Sequence, residues 1–160
     1  MVKDDSERAD DPVFGQPKTQ SVKEAETAAD WTVSEGTYNK KPLYARFNTA
    51  FRLAGDIADY PIQVGVAVPL HSPDKRGMPA PAELDELGEV EDLIVEKVAG
   101  QAVLVGAITT NSMREFVLYT DKADWIEGFD HAMQAAVKGH RVQVMAQTDP
   151  KWAVYSQFVN

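Results

Sequence analysis

The chain has 160 residues, of which 44% are hydrophobic and 26% are charged, the composition of an ordinary globular domain. Its net charge of -9 at pH 7 repels phosphate backbones, so direct contact with nucleic acid is not expected. Cysteine is absent, which excludes disulfides and thiolate sites, and no apolar run approaches the roughly 20 residues that cross a bilayer. These features predict a cytoplasmic protein without membrane contact.

Residues 1–30 predict a flexible acidic N-terminal tail. The segment carries four basic against eight acidic residues, and Val13 and Phe14 are almost its only large apolar residues. Such a composition does not offset the entropy cost of ordering a backbone, and it lacks the apolar core of a secretory signal. The functional alternative for the tail is an acidic segment that attracts a basic partner. A single α+β domain is expected over residues 31–160.

The first half of the domain predicts a β-hairpin, a strand and a helix. Two strand-like runs, around 31–36 and 43–48, flank a polar turn, and PIQVGVAVPL follows as a central strand rich in β-branched residues. The stretch HSPDKRGMPAP (71–81) carries three prolines and a glycine, which indicates an exposed loop. Residues 82–100 then have the spacing of an amphipathic helix that ends in a glycine.

The second half predicts another hairpin, a helix and a strand. Asn111 and Ser112 divide the apolar run 101–120, and asparagine tolerates the positive φ of a tight turn. A helix from about 122 to 138, capped by Asp121, precedes the alternating strand HRVQVMAQ. From the central strand onward, the element order predicts a ferredoxin-like (split βαβ) antiparallel sheet with two main helices on one face, preceded by the N-terminal hairpin.

Arg114 and Glu115 stand side by side at the head of the strand REFVLYT and raise the hypothesis of a catalytic pair. With a two-residue loop, Thr109 stands opposite Arg114 and Ile108 stands opposite Glu115. Adjacent residues of a strand point to opposite sides of the sheet. Arg114 and Glu115 are therefore not expected to share a site.

Both faces of this hairpin are expected to be apolar. The first face has Arg114 at its rim and holds Val103, Val105, Ala107, Phe116 and Leu118. The second face has Glu115 at its rim and holds Leu104, Gly106, Ile108, Val117 and Tyr119. Helices on one side of a sheet cover only one face, so the second must be covered by residues 31–58, by the C-terminal segment or by another copy of the chain.

The C-terminal stretch TDPKWAVYSQFVN predicts a short helix, with Asp149 as its cap and Pro150 at its first position. Trp152, Tyr155 and Phe158 fall on one side of that helix, which favours packing over the sheet. The functional alternative is an exposed aromatic surface that stacks on a ligand or peptide.

Catalytic and metal-binding motifs are not found. The three histidines, His71, His131 and His140, lack the spacing of a metal-binding helix, and the phosphate-loop, nucleophile-elbow and dinucleotide motifs are absent. His71 has Ser72 and Asp74 beside it, but a proline-rich turn explains these neighbours better than a catalytic triad. No catalytic residue, metal or cofactor is predicted, and an enzyme is not favoured.

Several motifs together resemble the bacterial family called domain of unknown function 695, over about residues 31–158. In chain order they are Trp31, ARFN at 45–48, DYP at 59–61, GMP at 77–79, ED at 91–92, REFVLYT at 114–120, Trp125 and DPKWAVYSQF at 149–158. Some proteins of this uncharacterised family are joined to domains similar to the inhibitor of ribonuclease E called regulator of ribonuclease activity B. The resemblance thus implies a binding or regulatory module and carries no catalytic residue.

Two functional hypotheses follow. The favoured one is a small binding or regulatory module that contacts a partner protein or a second copy of itself, through the sheet edge or the second face. The alternative is a small-molecule-binding or hydrolytic site where Arg46, Arg114, Asp149 and Tyr155 converge, with an arginine holding a carboxylate or phosphate. Trp152 completes this set as a stacking surface. In the simpler interpretation, Asp149 only anchors the C-terminal segment to Arg114.

Overall fold

The computed structural model describes residues 18–160, which form a six-stranded antiparallel sheet with four α-helices. The elements, in chain order, are α1 (Val22–Ala28), β1 (Trp31–Tyr38), β2 (Lys41–Asn48), 3-10 helices at Thr49–Leu53 and Ile57–Asp59, β3 (Ile62–Pro69), α2 (Pro81–Val98), β4 (Ala102–Thr110), β5 (Met113–Thr120), α3 (Ile126–Ala136), β6 (Gln143–Thr148) and α4 (Ala153–Ser156). The strand order is β1-β2-β4-β5-β3-β6, which confirms the predicted α+β class. Within the described residues, no helix has the length and apolar character needed to span a bilayer.

Both predicted hairpins form around tight two-residue turns. Asn39 and Lys40 join β1 to β2 with φ of 50° and 67°, and Asn111 and Ser112 join β4 to β5 with φ of 51° and 66°. Two consecutive residues with positive φ match the twist of the flanking strands, so the turn chemistry fixes where each hairpin reverses.

The register next to the second turn is the predicted one. Arg114 pairs with Thr109, and Glu115 pairs with Ile108. Because side chains alternate along a strand, Arg114 and Glu115 point to opposite faces of the sheet.

Further from the turn, an irregularity in β4 shifts the register between Leu104 and Gly106. As a result Val103 and Val105 belong to one apolar cluster and Leu104 to the other, the reverse of the predicted assignment. A bulge adds one residue to one strand only, and strict alternation along the sequence does not reveal it.

One side of the sheet, called here the helix face, is covered by residues of α2 and α3. Leu87 and Ile94 of α2 and Met133 of α3 are fully buried there, in one cluster with Phe116 and Leu118 of β5. The apolar spacing that predicted helix α2 is therefore confirmed at Leu87 and Ile94. α3 is shorter than predicted and begins after Trp125 rather than at the expected Asp121 cap.

The opposite side, called here the second face, is covered by three separate segments. Phe51 comes from the Thr49–Leu53 helix, Trp152 and Tyr155 come from the C-terminal segment, and all three are at most 4% exposed. The Trp152 ring stacks on Tyr119 of β5, with 4.1 Å between the ring centroids. Two of the covers named from the sequence, residues 31–58 and the C-terminal segment, thus contribute within a single chain.

The third cover, α1, lies inside the segment for which a flexible tail is expected. Ser21 and Glu24 form a reciprocal capping box at its start, and Val22 and Ala25 are fully buried. The expectation for residues 1–30 is thus corrected from Lys18 onward, and residues 1–17 lie outside the described residues. Two small apolar residues suffice for docking because the second face supplies the apolar surface.

Gly106 provides a test of the close cross-strand contact between β4 and Phe47 of β2 on the second face. A Cβ at this position would overlap the buried Phe47 ring. We expect Gly106→Ala to lower the free energy of unfolding by about 1–3 kcal/mol, because a packed core resists added volume. Urea unfolding followed by circular dichroism measures this change.

The matched control is Gly128→Ala in α3, where a Cβ meets nothing within 4 Å. This exposed helical substitution should stabilise the chain by about 0.5–1 kcal/mol. Equal effects of the two substitutions would contradict the assigned contact between Gly106 and Phe47.

Candidate functional site

The structure does not bring the predicted site residues Arg46, Arg114, Asp149 and Tyr155 together. Arg46 and Arg114 lie on the helix face, whereas Asp149 and Tyr155 lie with Trp152 at the second face. The sheet itself separates the two groups. A single site formed by all of them is therefore not present.

Asp149 anchors the C-terminal segment, but to a different partner from the predicted Arg114. The Tyr119 hydroxyl donates a hydrogen bond of 2.7 Å to Asp149 Oδ2, and the backbone N–H groups of Ala153 and Val154 donate to the same carboxylate. Burial raises the pKa of Tyr119, and the hydrogen bond to Asp149 raises it further. The helix α4 begins at Ala153, with Trp152 at the N-cap position, so the predicted cap at Asp149 with Pro150 at the first position is wrong. Asp149 instead accepts hydrogen bonds from the first two backbone N–H groups of α4 and ties the helix to β5.

Trp152 and Tyr155 are packing residues rather than an exposed stacking surface. They are 1% and 4% exposed, Trp152 Nε1 donates to the Tyr60 carbonyl, and the Tyr155 hydroxyl donates to the Asn48 carbonyl. A cavity of about 570 Å³ lies beside them. The two rings offer it almost no surface.

The two arginines line a groove on the helix face. Two adjoining cavities, of about 350 and 650 Å³, share Leu84 and Arg114. The groove is bounded by the β1–β2 hairpin on one side, by the N-terminal half of α2 on the other, and by residues 76–79 at one end. We call it the Arg114 groove.

Tyr44, Thr109 and Arg114 form a row across the floor of the Arg114 groove, because Thr109 pairs with Tyr44 on β2 and with Arg114 on β5. Arg114 Nε donates a 2.8 Å hydrogen bond to the buried Thr109 hydroxyl. This bond fixes the guanidinium in the floor of the groove.

Burial lowers the pKa of Arg114 and the nearby Arg46 cation lowers it further, while the charges of Glu91 and Glu83 act in the opposite direction. Arg46 itself forms an ion pair with Glu91, and its guanidinium lies 4.6 Å from the centre of the Trp31 ring. Among residues 18–160, no carboxylate lies within ion-pair distance of Arg114. Arg114 is thus a half-buried cation without an anionic partner in the described chain.

Glu115 experiences the opposite environment on the second face. Its cross-strand neighbours are Ala67 and Ile108, and burial raises the pKa of its carboxyl. The side chain is partly buried and lies over Gly65. Arg114 and Glu115 are adjacent in sequence, but each is partly removed from water on a different face of the sheet.

A second polar cluster was not predicted from the sequence. His71 follows β3, Glu83 and Glu86 lie in the first turns of α2, and His140 precedes β6, and one ligand atom from each falls within 4.8 Å of the others. The expectation that no metal site exists rested on spacing within one helix. Here the residues come from three segments, so the only sequence signal was the presence of two glutamates one turn apart.

Hydrogen bonds hold the cluster together. His140 Nε2 lies 2.7 Å from Glu83 Oε2, and His71 Nε2 lies 2.7 Å from Glu86 Oε1. Burial would raise the pKa of Glu83, but hydrogen bonds from the His71 N–H, from His140 and from the Ser72 N–H lower it. The hydrogen bond with Glu86 raises the pKa of His71. Glu83 is therefore a buried carboxylate that the surrounding donors stabilise.

Residues 29–159 match the sequence model of a family described as a family of unknown function, DUF695. The chain belongs to this family. The match confirms the resemblance drawn from the motifs. No curated protein and no solved structure shows significant similarity to the chain.

In this DUF695 domain, the two longest motifs have structural roles. REFVLYT is most of β5, whose residues alternate between the cores of the two faces. DPKWAVYSQF contains Asp149, which binds Tyr119 and the start of α4, and the aromatic cover of the second face. The family supplies no activity, so function has to be derived from the groove and the histidine cluster.

The bond between Tyr119 and Asp149 should stabilise the C-terminal cover. We expect Tyr119→Phe to lower the free energy of unfolding by about 1.5–3 kcal/mol, since it removes a buried hydrogen bond to a carboxylate. Tyr38→Phe, at a position 58% exposed, is the matched control and should change stability by less than about 0.5 kcal/mol. Thermal and urea unfolding give both values, and similar losses would refute the anchor.

The buried Glu115 predicts a pH dependence of stability. Burial raises the folded pKa of Glu115 above the ordinary glutamate value of 4.5, so the folded chain binds the proton more tightly than the unfolded chain. Stability is therefore lost as pH rises from 4.5 to the folded pKa. Glu115→Gln removes this cost, and we expect the variant to be more stable than the parent at neutral pH but not at acidic pH.

Urea unfolding at a series of pH values measures the difference between variant and parent. The exposed Glu89→Gln in α2 is the control and should show a difference that changes little with pH. A Glu115→Gln difference that does not change with pH would contradict the predicted cost.

Proposed function

We propose that this DUF695 domain is a protein-binding module that holds a short segment of a partner in the Arg114 groove, with a carboxylate of that segment on Arg114. The observation that carries the proposal is the half-buried Arg114 guanidinium, which has no anionic partner among residues 18–160. A desolvated cation is costly unless an acceptor reaches it, and a bound carboxylate removes that cost.

Arg114 has the geometry for this role. A guanidinium carries five N–H donors, and within the described chain only Nε of Arg114 has a hydrogen-bond acceptor, the Thr109 hydroxyl. The bond to Thr109 holds the guanidinium in place, so its terminal nitrogens can engage both oxygens of one carboxylate. Arg46 is less suited, because Glu91 already neutralises it.

Apolar side chains beside Arg114 give the groove a second kind of contact. Tyr44 and Leu84 are 44% and 47% exposed, and Met78 and Pro79 line the same end. Arginine, tyrosine and methionine are enriched at the centres of protein interfaces.

The end of the groove next to Arg114 is firmly built. Asp74 Oδ1 accepts hydrogen bonds from the backbone N–H groups of Arg76 and Met78, and the Ser112 N–H donates to the Gly77 carbonyl. A site built on fixed elements loses less entropy when it binds a ligand. The groove is therefore suited to selective binding of one kind of side chain rather than to weak, unselective binding.

Charge restricts the partner segment to a single carboxylate flanked by apolar residues. The chain carries a net charge of -9, and Asp85, Glu89 and Asp92 line the α2 side of the groove. A run of acidic residues meets repulsion there, and two copies of the chain repel each other in the same way. A partner protein is thus favoured over a homodimer.

The hydrolytic or small-molecule alternative has no support in the geometry, because Asp149 and Tyr155 lie across the sheet from Arg114. We also propose that β3 to β6 with α2 and α3 form a ferredoxin-like unit. The order β6-β3-β5-β4 and the core shared by the two helices support this assignment. The cytoplasmic location and the lack of direct nucleic-acid contact stay predictions.

Peptide binding tests the proposal. A library of fluorescent peptides, each with one aspartate or glutamate between apolar residues, is screened by fluorescence polarisation beside identical peptides carrying asparagine or glutamine. We expect the carboxylate peptides to bind more tightly than the amide peptides. Arg114→Gln should lower the affinity for carboxylate peptides by at least about tenfold, because a buried charge pair loses one partner.

The control variant is Arg52→Gln, an exposed arginine in the cover of the second face, which should leave binding unchanged. The proposal is overturned if no peptide binds, if amide peptides bind as well as their carboxylate counterparts, or if Arg114→Gln binds like the parent.

A further inference from the structure

The cluster of His71, Glu83, Glu86 and His140 lies apart from the floor of the Arg114 groove and is not used by the proposed function. It combines two imidazoles with two carboxylates, and its four members come from three segments that meet only in the folded chain. Glu83 and Glu86 are three residues apart in α2, so both project from the same side of the helix. The folded chain thus gathers four potential metal ligands at the N-terminal end of α2.

The spacing between ligand atoms suits one small ion. Around a tetrahedral zinc with bonds of about 2.0–2.1 Å, ligand atoms lie roughly 3.3 Å apart. In the cluster, Glu83 Oε2 lies 2.7 Å from His140 Nε2, and Glu86 Oε1 lies 2.7 Å from His71 Nε2 and 3.7 Å from His140 Nε2. One ligand atom from each of the four residues lies within 4.8 Å of the others. These separations bracket the required value, so small side-chain rotations bring the donors into position.

The buried half of the cluster is held by its surroundings. The side chains of His140 and Glu83 are 2% and 1% exposed, and the backbone N–H groups of His71 and Ser72 donate to the two oxygens of Glu83. The rings of His71 and His140 stack with 4.5 Å between their centroids. Hydrogen bonds that orient a ligating carboxylate are the usual support of a protein metal site.

The other half of the cluster reaches solvent. His71 and Glu86 are 43% and 46% exposed, which gives an ion a route to the buried pair. A buried ion pair of His140 and Glu83 would be complete without these two residues. His71 and Glu86 nevertheless place a nitrogen and an oxygen atom beside those of His140 and Glu83. This is the arrangement expected of residues that bind one ion together.

We propose that His71, Glu83, Glu86 and His140 bind one divalent transition-metal ion, with Zn²⁺ as the preferred occupant. Imidazole nitrogen favours zinc and its neighbours in the first transition row, whereas Ca²⁺ and Mg²⁺ prefer sites made wholly of oxygen. The bound ion fixes residue 71, the start of the loop whose far end closes the Arg114 groove. The site itself stands independently of any partner of that groove.

Isothermal titration calorimetry of the full untagged chain with Zn²⁺, after treatment with a chelator, tests the site. We expect one ion per chain with micromolar or tighter affinity, and a melting temperature that rises with Zn²⁺ concentration, because the ion binds the folded state. The metal-replaced chain with Co²⁺ should show the visible absorption of a four-coordinate ion with nitrogen and oxygen ligands.

His71→Ala and Glu86→Gln are the decisive variants, because both residues are partly exposed and neither belongs to a buried core. Each should weaken Zn²⁺ binding by at least about tenfold, the loss that even an outer-sphere partner causes. His131→Ala, an exposed histidine of α3, is the matched control and should bind like the parent.

Unfolding of each variant without metal is measured in parallel, so a loss of affinity is separated from a loss of fold. The proposal is overturned if the parent binds no Zn²⁺, if His71→Ala or Glu86→Gln binds as tightly as the parent, or if His131→Ala loses affinity to the same extent.

Discussion

The structure depends on the burial of both faces of the β4–β5 hairpin. Phe116 and Leu118 enter one core, and Val117 and Tyr119 enter the other, all at most 1% exposed. An apolar strand buried on both sides needs a cover on each, because exposed surface of that size is unfavourable in water. The helices α2 and α3 supply one cover. Segments from both ends of the chain, with the Thr49–Leu53 helix, supply the other.

The second cover is held by polar bonds as well as by apolar contact. The Asp149 carboxylate accepts hydrogen bonds from the Tyr119 hydroxyl of the sheet and from two backbone N–H groups of the C-terminal segment. Asn48 performs a similar role for α1, since its side chain accepts from the Asp30 N–H and donates to the Ala25 carbonyl. Buried polar groups that are fully paired fix one arrangement of the layers, whereas apolar contact alone tolerates several.

The helices α2 and α3 cover the helix face only in part, and the uncovered part forms the Arg114 groove. The β1–β2 hairpin extends the sheet beyond α2, so the row from Tyr44 to Arg114 is covered only in part. The start of α2 then serves two sites. Glu83 turns into the histidine cluster and the adjacent Leu84 turns toward the groove. The loop between β3 and α2 links the two sites, with His71 at one end and Pro79 at the other.

The sequence by itself determined the features that neighbouring residues encode. Asn111 and Ser112 specify a tight turn, the spacing of Leu87, Val90 and Ile94 specifies a helix, and alternation in β5 separates Arg114 from Glu115. These rest on local φ preferences and on side-chain periodicity, which each segment carries wherever it lies.

Only the tertiary structure decided the contacts between segments distant in the chain. The bulge in β4 reassigned Val103 and Val105, α1 took a place on the second face, Asp149 met Tyr119 rather than Arg114, and His71 met His140. Each of these depends on how strands register and how layers stack. No short stretch of sequence carries that information, because it arises from surfaces that exist only once the sheet has formed.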